Sequence, residues 1–77
     1  MNRSQLYREI EVISNMEAGT LASSDAESVV LEWDSLQTLD FLTVMSEKLG
    51  VVLNGAEVGE ARTVGDLVKC TWDFIEH

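Results

Sequence analysis

Residues 33–40 read Trp-Asp-Ser-Leu-Gln-Thr-Leu-Asp and mark the start of a helix around which the rest of the chain is organised. Asp34 is a favoured residue before a helix because its side chain can accept a hydrogen bond from a free amide of the first turn. Gln37 lies three residues later, at the position that completes a capping box. Apolar residues then recur at helical spacing until Gly50, a stop signal, so the pattern predicts a helix over residues 35–49. Its predicted buried stripe consists of Leu39, Leu42, Met45 and Leu49, with Phe41 beside it.

Two further capping signals predict helices near the two ends of the chain. Asn2 and Gln5 form such a pair before a segment that covers residues 4–16. Thr63 and Asp66 form another before a segment that runs to near the C-terminus. The apolar face of the first segment consists of Leu6, Ile10, Ile13 and Met16, with Arg8, Glu9 and Glu11 falling elsewhere. The apolar face of the last segment consists of Val64, Leu67, Val68, Thr71, Phe74 and Ile75.

The connections between these helices differ in length. Residues 17–33 are rich in turn-forming types and predict a long loop, while residues 51–61 form a shorter connector with one helical turn at 56–60. The candidates that hold the long loop to the core are Leu21, Val29 and Leu31. Helices that pack through single apolar stripes, without a sheet, form bundles. We therefore expect residues 1–77 to form one all-α domain, a small three-to-four-helix bundle with a long first loop.

Composition narrows the range of partners. The chain of 77 residues has 14 acidic and 5 basic side chains, for a net charge of −9. This balance argues against binding to nucleic acid or to anionic membranes and favours protein partners with basic patches. A single cysteine excludes an internal disulfide, and no apolar run approaches the length of a membrane span or of a signal peptide. We expect a monomer in the cytoplasm.

Ser35 is the residue whose surroundings point to chemistry. A serine nucleophile needs a base within reach and a group that orients the base, and the only histidine is the terminal His77. Cys70 lies near the edge of the last apolar face and is expected to be a partly buried structural thiol. An esterase-like enzyme is therefore the weakest interpretation, and we expect neither catalysis nor a metal site. Taken alone, the pair Asp34-Ser35 is simply the start of a helix.

The whole pattern resembles the acyl carrier protein family. The tripeptide Asp34-Ser35-Leu36 matches that family's phosphopantetheine attachment motif, and it follows a long loop in a short, acidic, helical chain. The resemblance extends from about Leu6 to Ile75. The other positions that match the family are Leu31, Leu39, Asp40, Leu42, Met45, Glu47, Leu53, the start at Thr63–Leu67 and the pair Phe74-Ile75.

The resemblance implies a carrier rather than a catalyst. Family members receive 4′-phosphopantetheine from coenzyme A through a magnesium-dependent phosphopantetheinyl transferase, and Ser35 is the matching attachment residue, flanked by Asp34 and Leu36. The thiol at the end of this arm carries acyl groups as thioesters between acyl-processing enzymes. Those enzymes present basic docking patches, and the matching docking residues here are Leu36, Asp40, Val44 and Glu47.

Several residues depart from the carriers of fatty-acid synthesis. Gln37, Ser46 and Lys48 stand where those carriers usually have acidic residues. Asn54 stands where many members have proline, and Trp33 replaces a small residue. These departures favour a carrier of polyketide or other specialised biosynthesis. The alternatives are a primary fatty-acid or aminoacyl carrier and, from another class, an acidic helical interaction module without a prosthetic group.

Overall fold

The computed structural model describes residues 1–23 and 25–76, and in this part of the chain it is a small bundle of helices without β-strands. The α-helices are α1 (Arg3–Ile13), α2 (Ser35–Leu49), α3 (Gly55–Glu60) and α4 (Val64–Cys70). Single 3-10 turns lie at Thr20–Ala22, Ala26–Ser28 and Trp72–Phe74. The predicted all-α bundle with a long first loop is therefore confirmed.

The predicted capping pairs form at the helix starts. The Asp34 carboxylate accepts a hydrogen bond from the Gln37 amide at 2.9 Å, and the Gln37 side chain accepts one from the Asp34 amide at 3.0 Å. Gly50 ends α2 with a left-handed backbone, φ 66°. Because a capping box satisfies two backbone amides, the local sequence fixes where the helix begins. The corresponding pairs before α1 and α4 are Asn2 with Gln5 and Thr63 with Asp66.

The end of α1 comes before the predicted limit at Met16. Asn15 adopts a left-handed backbone conformation with φ 63°. The amide of Met16 then donates to the carbonyl of Glu11 at 2.8 Å, and the amide of Asn15 donates to the carbonyl of Val12 at 3.2 Å. These are the two bonds of a Schellman ending, in which asparagine can replace the usual glycine. The helical spacing of apolar residues continues to Met16, but the helix itself ends at Ile13.

The core is built from α1, α2, α3, α4 and the long first loop. Of the candidate loop anchors, Leu21 and Leu31 are buried and Val29 is half-buried. The loop is also joined to the start of α4, because the amide of Leu31 donates to the carbonyl of Arg62 at 2.7 Å. The long loop is thus part of the packed structure. The buried apolar residues are Leu6, Ile10, Leu21, Ala26, Leu31, Phe41, Met45, Val58, Val64, Leu67, Val68 and Ile75.

The prediction that Leu39 belongs to the buried stripe of α2 is wrong, because this residue is 57% exposed. Phe41 is fully buried, and residues two apart on a helix do not share a face. Once the larger Phe41 side chain enters the core, Leu39 must face outward. Leu42 and Leu49 are half-buried and border the core.

The prediction that Phe74 belongs to the last buried face is also wrong, since Phe74 is 42% exposed. α4 ends at Cys70, and Trp72–Phe74 forms a 3-10 turn. A 3-10 turn has about three residues per turn instead of about 3.6, so the apolar residues no longer share one face. Ile75, the next residue, is buried as predicted.

Glu11 lies inside the protein and not on a polar side of α1 as expected. Its side chain accepts hydrogen bonds from the backbone amides of Gly19 at 3.2 Å and Leu21 at 2.8 Å. Arg8 lies 3.8 Å from the same carboxylate. Burial of this charge is therefore compensated by two amides of the long loop and by one cation.

Candidate functional site

Ser35 is the first residue of α2, and it lies on the protein surface. The capping box of Asp34 and Gln37 holds this turn of the chain in place on either side of Ser35. Within the part of the chain that the structure describes, the Ser35 hydroxyl makes no hydrogen bond. The hydroxyl is therefore accessible to a partner and is not engaged in the cap that starts the helix.

The first turn of α2 also leaves backbone amides free. The amide of Gln37 is bonded to Asp34, and the amide of Thr38 donates to the Asp34 carbonyl at 3.1 Å. Among the described residues, the amides of Ser35 and Leu36 find no acceptor. Free amides and the helix dipole make this end of a helix favourable for negative charge. A phosphodiester on the Ser35 oxygen would lie at that positive end, so the residues present fit such a group.

Two side chains fix the start of α2 to the end of α1. The Gln37 side-chain amide donates to the carbonyl of Ile13 at 3.1 Å. The Trp33 indole N–H donates to the Ser14 hydroxyl at 2.7 Å. The Trp33 ring also packs against the ring of Phe41, with 5.5 Å between ring centroids. Residues on both sides of Ser35 in the sequence therefore attach this turn to the end of α1.

These contacts give structural reasons for two departures noted in the sequence. Gln37 uses its oxygen for the cap and its nitrogen for the Ile13 carbonyl, and a glutamate could not donate the second bond. Trp33 fills space against Phe41, because the centroids of the two rings lie 5.5 Å apart. Asn54 is likewise structural, since it caps α3 by accepting from the amides of Ala56 and Glu57.

The four predicted docking residues lie along one side of α2. Leu36, Asp40 and Glu47 are exposed, and Val44 is half-buried at the border of the core. Leu36 is 70% exposed, which makes it one of the most exposed large apolar residues of the described chain. Leu39, which is not among the predicted docking residues, is 57% exposed and joins this surface one turn after Leu36. The available signal was Phe41, whose burial forces Leu39 outward.

Acidic charge on this side of α2 is not neutralised by an ion pair with any other described residue. In the part of the chain that the structure describes, no ion pair includes Asp40 or Glu47. Lys48, the only cation on α2, pairs with Glu9 of α1 at 3.2 Å. Its charge is therefore directed toward α1, and the departure at this position does not make the docking side less acidic.

The described residues form no cluster of side chains that is suited to a metal ion. Residues 1–23 and 25–76 contain no group of three or more His, Cys, Asp or Glu side chains suited to a metal ion. Cys70 is partly buried, as predicted, and burial raises the pKa of its thiol, with smaller contributions from Glu57 and Asp66. His77 lies outside the described residues. No described helix has the length and apolar character required to cross a membrane.

Comparison with protein-family models, with curated proteins and with solved structures finds no match for this chain.

Proposed function

We propose that this protein is an acyl carrier protein in which Ser35 receives 4′-phosphopantetheine. The observation that carries the proposal is the exposed hydroxyl of Ser35, which forms no hydrogen bond with the described residues and lies on the first turn of a helix with a complete capping box. Asp34 and Gln37 already complete the cap, so the start of the helix does not depend on the Ser35 hydroxyl. The free amides of the same turn favour the negative charge that attachment brings.

The proposed modification uses the chain as substrate of a phosphopantetheinyl transferase. The Ser35 oxygen forms a bond to the phosphorus that bears the pantetheine arm, the phosphoanhydride bond of coenzyme A breaks, and its nucleotide part leaves. The hydroxyl proton passes to a base of the transferase, so this chain needs no base of its own. When attached, the arm supplies a thiol that carries acyl groups as thioesters.

Intact mass measurement tests this proposal. The purified protein is incubated with coenzyme A, magnesium and a transferase of broad specificity, and we expect a mass gain of one phosphopantetheine. The variant Ser35→Ala should show no gain, whereas Ser46→Ala, which removes another exposed serine of α2, should be modified like the wild type. Absence of a mass gain with several transferases would contradict the carrier function and favour the acidic interaction module.

The pathway is a separate part of the proposal. A carrier of polyketide or other specialised biosynthesis is favoured by the non-acidic Ser46, which is exposed on α2. Gln37, Trp33 and Asn54 have structural roles, and Lys48 is neutralised by Glu9, so these four departures carry less weight than their residue types suggest. Mass spectrometry of the protein isolated from its natural host identifies the acyl group and distinguishes this pathway from primary fatty-acid synthesis or aminoacyl transfer.

A further inference from the structure

We propose that Asn54 is a site of chemical modification without an enzyme, at which the chain loses ammonia and acquires aspartate or isoaspartate at the cap of α3. The proposal goes beyond the carrier function and does not depend on it. Its starting point is the sequence, because Asn54 is the only one of the three asparagines that is followed by glycine. Asn2 precedes Arg3, and Asn15 precedes Met16.

The reaction joins two groups that are neighbours along the chain. The backbone nitrogen of Gly55 attacks the side-chain carbonyl carbon of Asn54, a new C–N bond forms, and the C–N bond to the side-chain amino group breaks. The proton lost by Gly55 passes through solvent to that group, which leaves as ammonia. Water then opens the resulting succinimide ring at either carbonyl. One opening gives aspartate, and the other gives isoaspartate, in which the main chain runs through the former side chain.

Both reacting groups are accessible in the folded protein. Asn54 and Gly55 are exposed. The Gly55 amide lies at the first position of α3, where a helix offers no acceptor, and it finds none elsewhere in the described part of the chain. Glycine also has no Cβ atom that would shield this nitrogen. The attacking nitrogen and the carbonyl carbon are therefore held close by the chain itself and are open to water, which favours their reaction.

Opening of α3 controls the rate of this reaction. The Asn54 side-chain oxygen accepts hydrogen bonds from the amides of Ala56 at 2.9 Å and Glu57 at 3.2 Å. Ring closure needs the Asn54 Cβ and the Gly55 nitrogen to be nearly eclipsed about the Cα–C bond, and the ψ of 111° in the folded chain keeps them apart. The first turn must therefore open. Because α3 has only six residues, of which two are glycine and only Val58 is buried, this opening costs little free energy.

The two products should affect α3 differently. Aspartate keeps the cap acceptor and brings negative charge to the start of a helix, and both features are favourable. Isoaspartate inserts an extra main-chain carbon before Gly55, so the acceptor is displaced and the amides of Ala56 and Glu57 lose it. Because α3 contributes Val58 to the core, the isoaspartate form should unfold at a lower temperature than the aspartate form.

Incubation of the purified protein at mildly alkaline pH, followed by peptide mapping with mass spectrometry, tests the proposal. Asn54 should be converted, with a mass gain equal to the difference between water and ammonia, and an isoaspartyl methyltransferase should label part of the product. Asn2 and Asn15 serve as controls in the same sample and should remain intact. The same chain unfolded in urea should react faster and gives the rate for an open chain. If Asn54 stays intact in the folded protein while the unfolded chain is converted, the proposal is overturned.

Two glycine variants distinguish the attacking nitrogen from the opening of α3. In Gly55→Ala the new Cβ atom shields the nitrogen and would stand 3.5 Å from Leu42 Cδ1, an ordinary contact, so the fold should be kept. Conversion of Asn54 in this variant should fall to the level of the two control asparagines. Gly59→Ala stabilises α3 without touching the reacting groups, so conversion should slow about two- to fivefold, the equivalent of about 0.5–1 kcal/mol.

The urea-unfolded chain and Ser35→Ala complete the design. In urea, Gly59→Ala should be converted at the wild-type rate, because no helix remains to be opened. Ser35→Ala should be converted like the wild type in the folded state, whether or not Ser35 carries a prosthetic group. Conversion of folded Gly55→Ala at the wild-type rate would overturn attack by this nitrogen, and an unchanged rate for folded Gly59→Ala would overturn the opening of α3.

Discussion

The Glu11 carboxylate of α1 accepts a hydrogen bond from the backbone amide of Leu21 at 2.8 Å, and this bond attaches the long first loop to the helix before it. The Leu21 amide is the main reason that the pKa of Glu11 is lowered from its ordinary value, with a smaller contribution from the Gly19 amide, while burial opposes the shift. A single buried carboxylate thus serves as the cap for a loop turn that has no capping side chain of its own.

Replacement of this carboxylate should destabilise the fold. Glu11→Gln retains one acceptor but loses the second acceptor and the charge, so we expect the free energy of unfolding to fall by about 1.5–3 kcal/mol. Urea unfolding followed by circular dichroism measures the change. The matched control is Glu9→Gln on the same helix, which breaks only a partly exposed pair with Lys48 and should cost less than about 1 kcal/mol. Equal losses for the two variants would contradict the role given to Glu11.

The same carboxylate should make stability depend on pH. Because the pKa of Glu11 is lower in the folded than in the unfolded chain, its stabilising contribution is present above the ordinary glutamate value of about 4.3. The contribution is lost as the pH falls through the lowered pKa of the folded state. The difference in unfolding free energy between wild type and Glu11→Gln should therefore be constant near neutral pH and shrink in acid. A difference that does not change down to strong acid would exclude this linkage.

Replacement of Gln37 by glutamate should destabilise the protein, although glutamate is a usual residue at this position of a capping box. In Gln37→Glu the cap acceptor remains, but a carboxylate replaces the amide that donates to the Ile13 carbonyl at 3.1 Å. We expect a loss of about 1 kcal/mol or more in stability and faster hydrogen exchange of the amides at the start of α2. Exchange followed by NMR, residue by residue, measures the second effect.

Gln5→Glu provides the matched control for that substitution. Gln5 occupies the same capping-box position in α1, and its side-chain amide donates no hydrogen bond within the described residues. An acidic residue in a first helical turn interacts favourably with the helix dipole, by about 0.3–1 kcal/mol. Gln5→Glu should therefore be neutral or stabilising, and a comparable loss in both variants would show that the contact with Ile13 is unimportant.

Asn15 offers a substitution that should stabilise the protein. Its φ of 63° is more favourable for glycine than for a residue with a Cβ atom, so Asn15→Gly should leave stability unchanged or raise it by up to about 1 kcal/mol. Asn54→Gly is the matched control, because Asn54 has φ −70° and its side chain caps α3. That variant should lose a few tenths of a kcal/mol, roughly the cost of replacing a cap residue by glycine. Thermal unfolding of both variants shows whether each substitution raises or lowers the stability of the protein.

The two helical glycines Gly59 and Gly65 should respond differently to alanine. In α3, a Cβ at Gly59 would meet no atom within 4 Å, so Gly59→Ala should stabilise the protein by about 0.5–1 kcal/mol. In α4, a Cβ at Gly65 would stand 3.1 Å from the carbonyl oxygen of Glu27, which belongs to the long loop. Gly65→Ala should therefore gain nothing, because the loop must move away from α4. Equal gains in unfolding free energy for the two variants would show that the loop moves away from α4 without loss of stability.

The features predicted correctly from the sequence are those that depend on neighbours along the chain. Capping boxes involve residues three apart, and they located the starts of α1, α2 and α4. Errors arose where a more distant contact decides the outcome. Glu11 is buried because amides eight and ten residues away bond to it, and Leu39 is exposed because Phe41 fills the core in its place.

In the candidate site, too, some features depend on the local sequence and others depend on distant contacts. Ser35, its cap and the exposed Leu36 follow from local sequence and lie where expected. The contacts that hold this turn do not follow from it, since Trp33 bonds to Ser14 across 19 residues and Gln37 bonds to Ile13 across 24. Contacts of this kind depend on how two helices are placed relative to each other, which periodicity within either helix cannot specify.

The attachment of Trp33 and Gln37 to the end of α1 has a consequence for the construction of hybrid proteins. A segment that begins at Trp33 and ends at Gly50 would bring the serine and its capping box into a new scaffold. It would leave behind Ser14 and the Ile13 carbonyl. The Trp33 indole N–H and the Gln37 side-chain amide would then lose their acceptors unless the new scaffold supplied others. The transferable unit is therefore α1 with its cap, the long loop and α2 together, and a chimera should be joined before Asn2, which caps α1, rather than before α2.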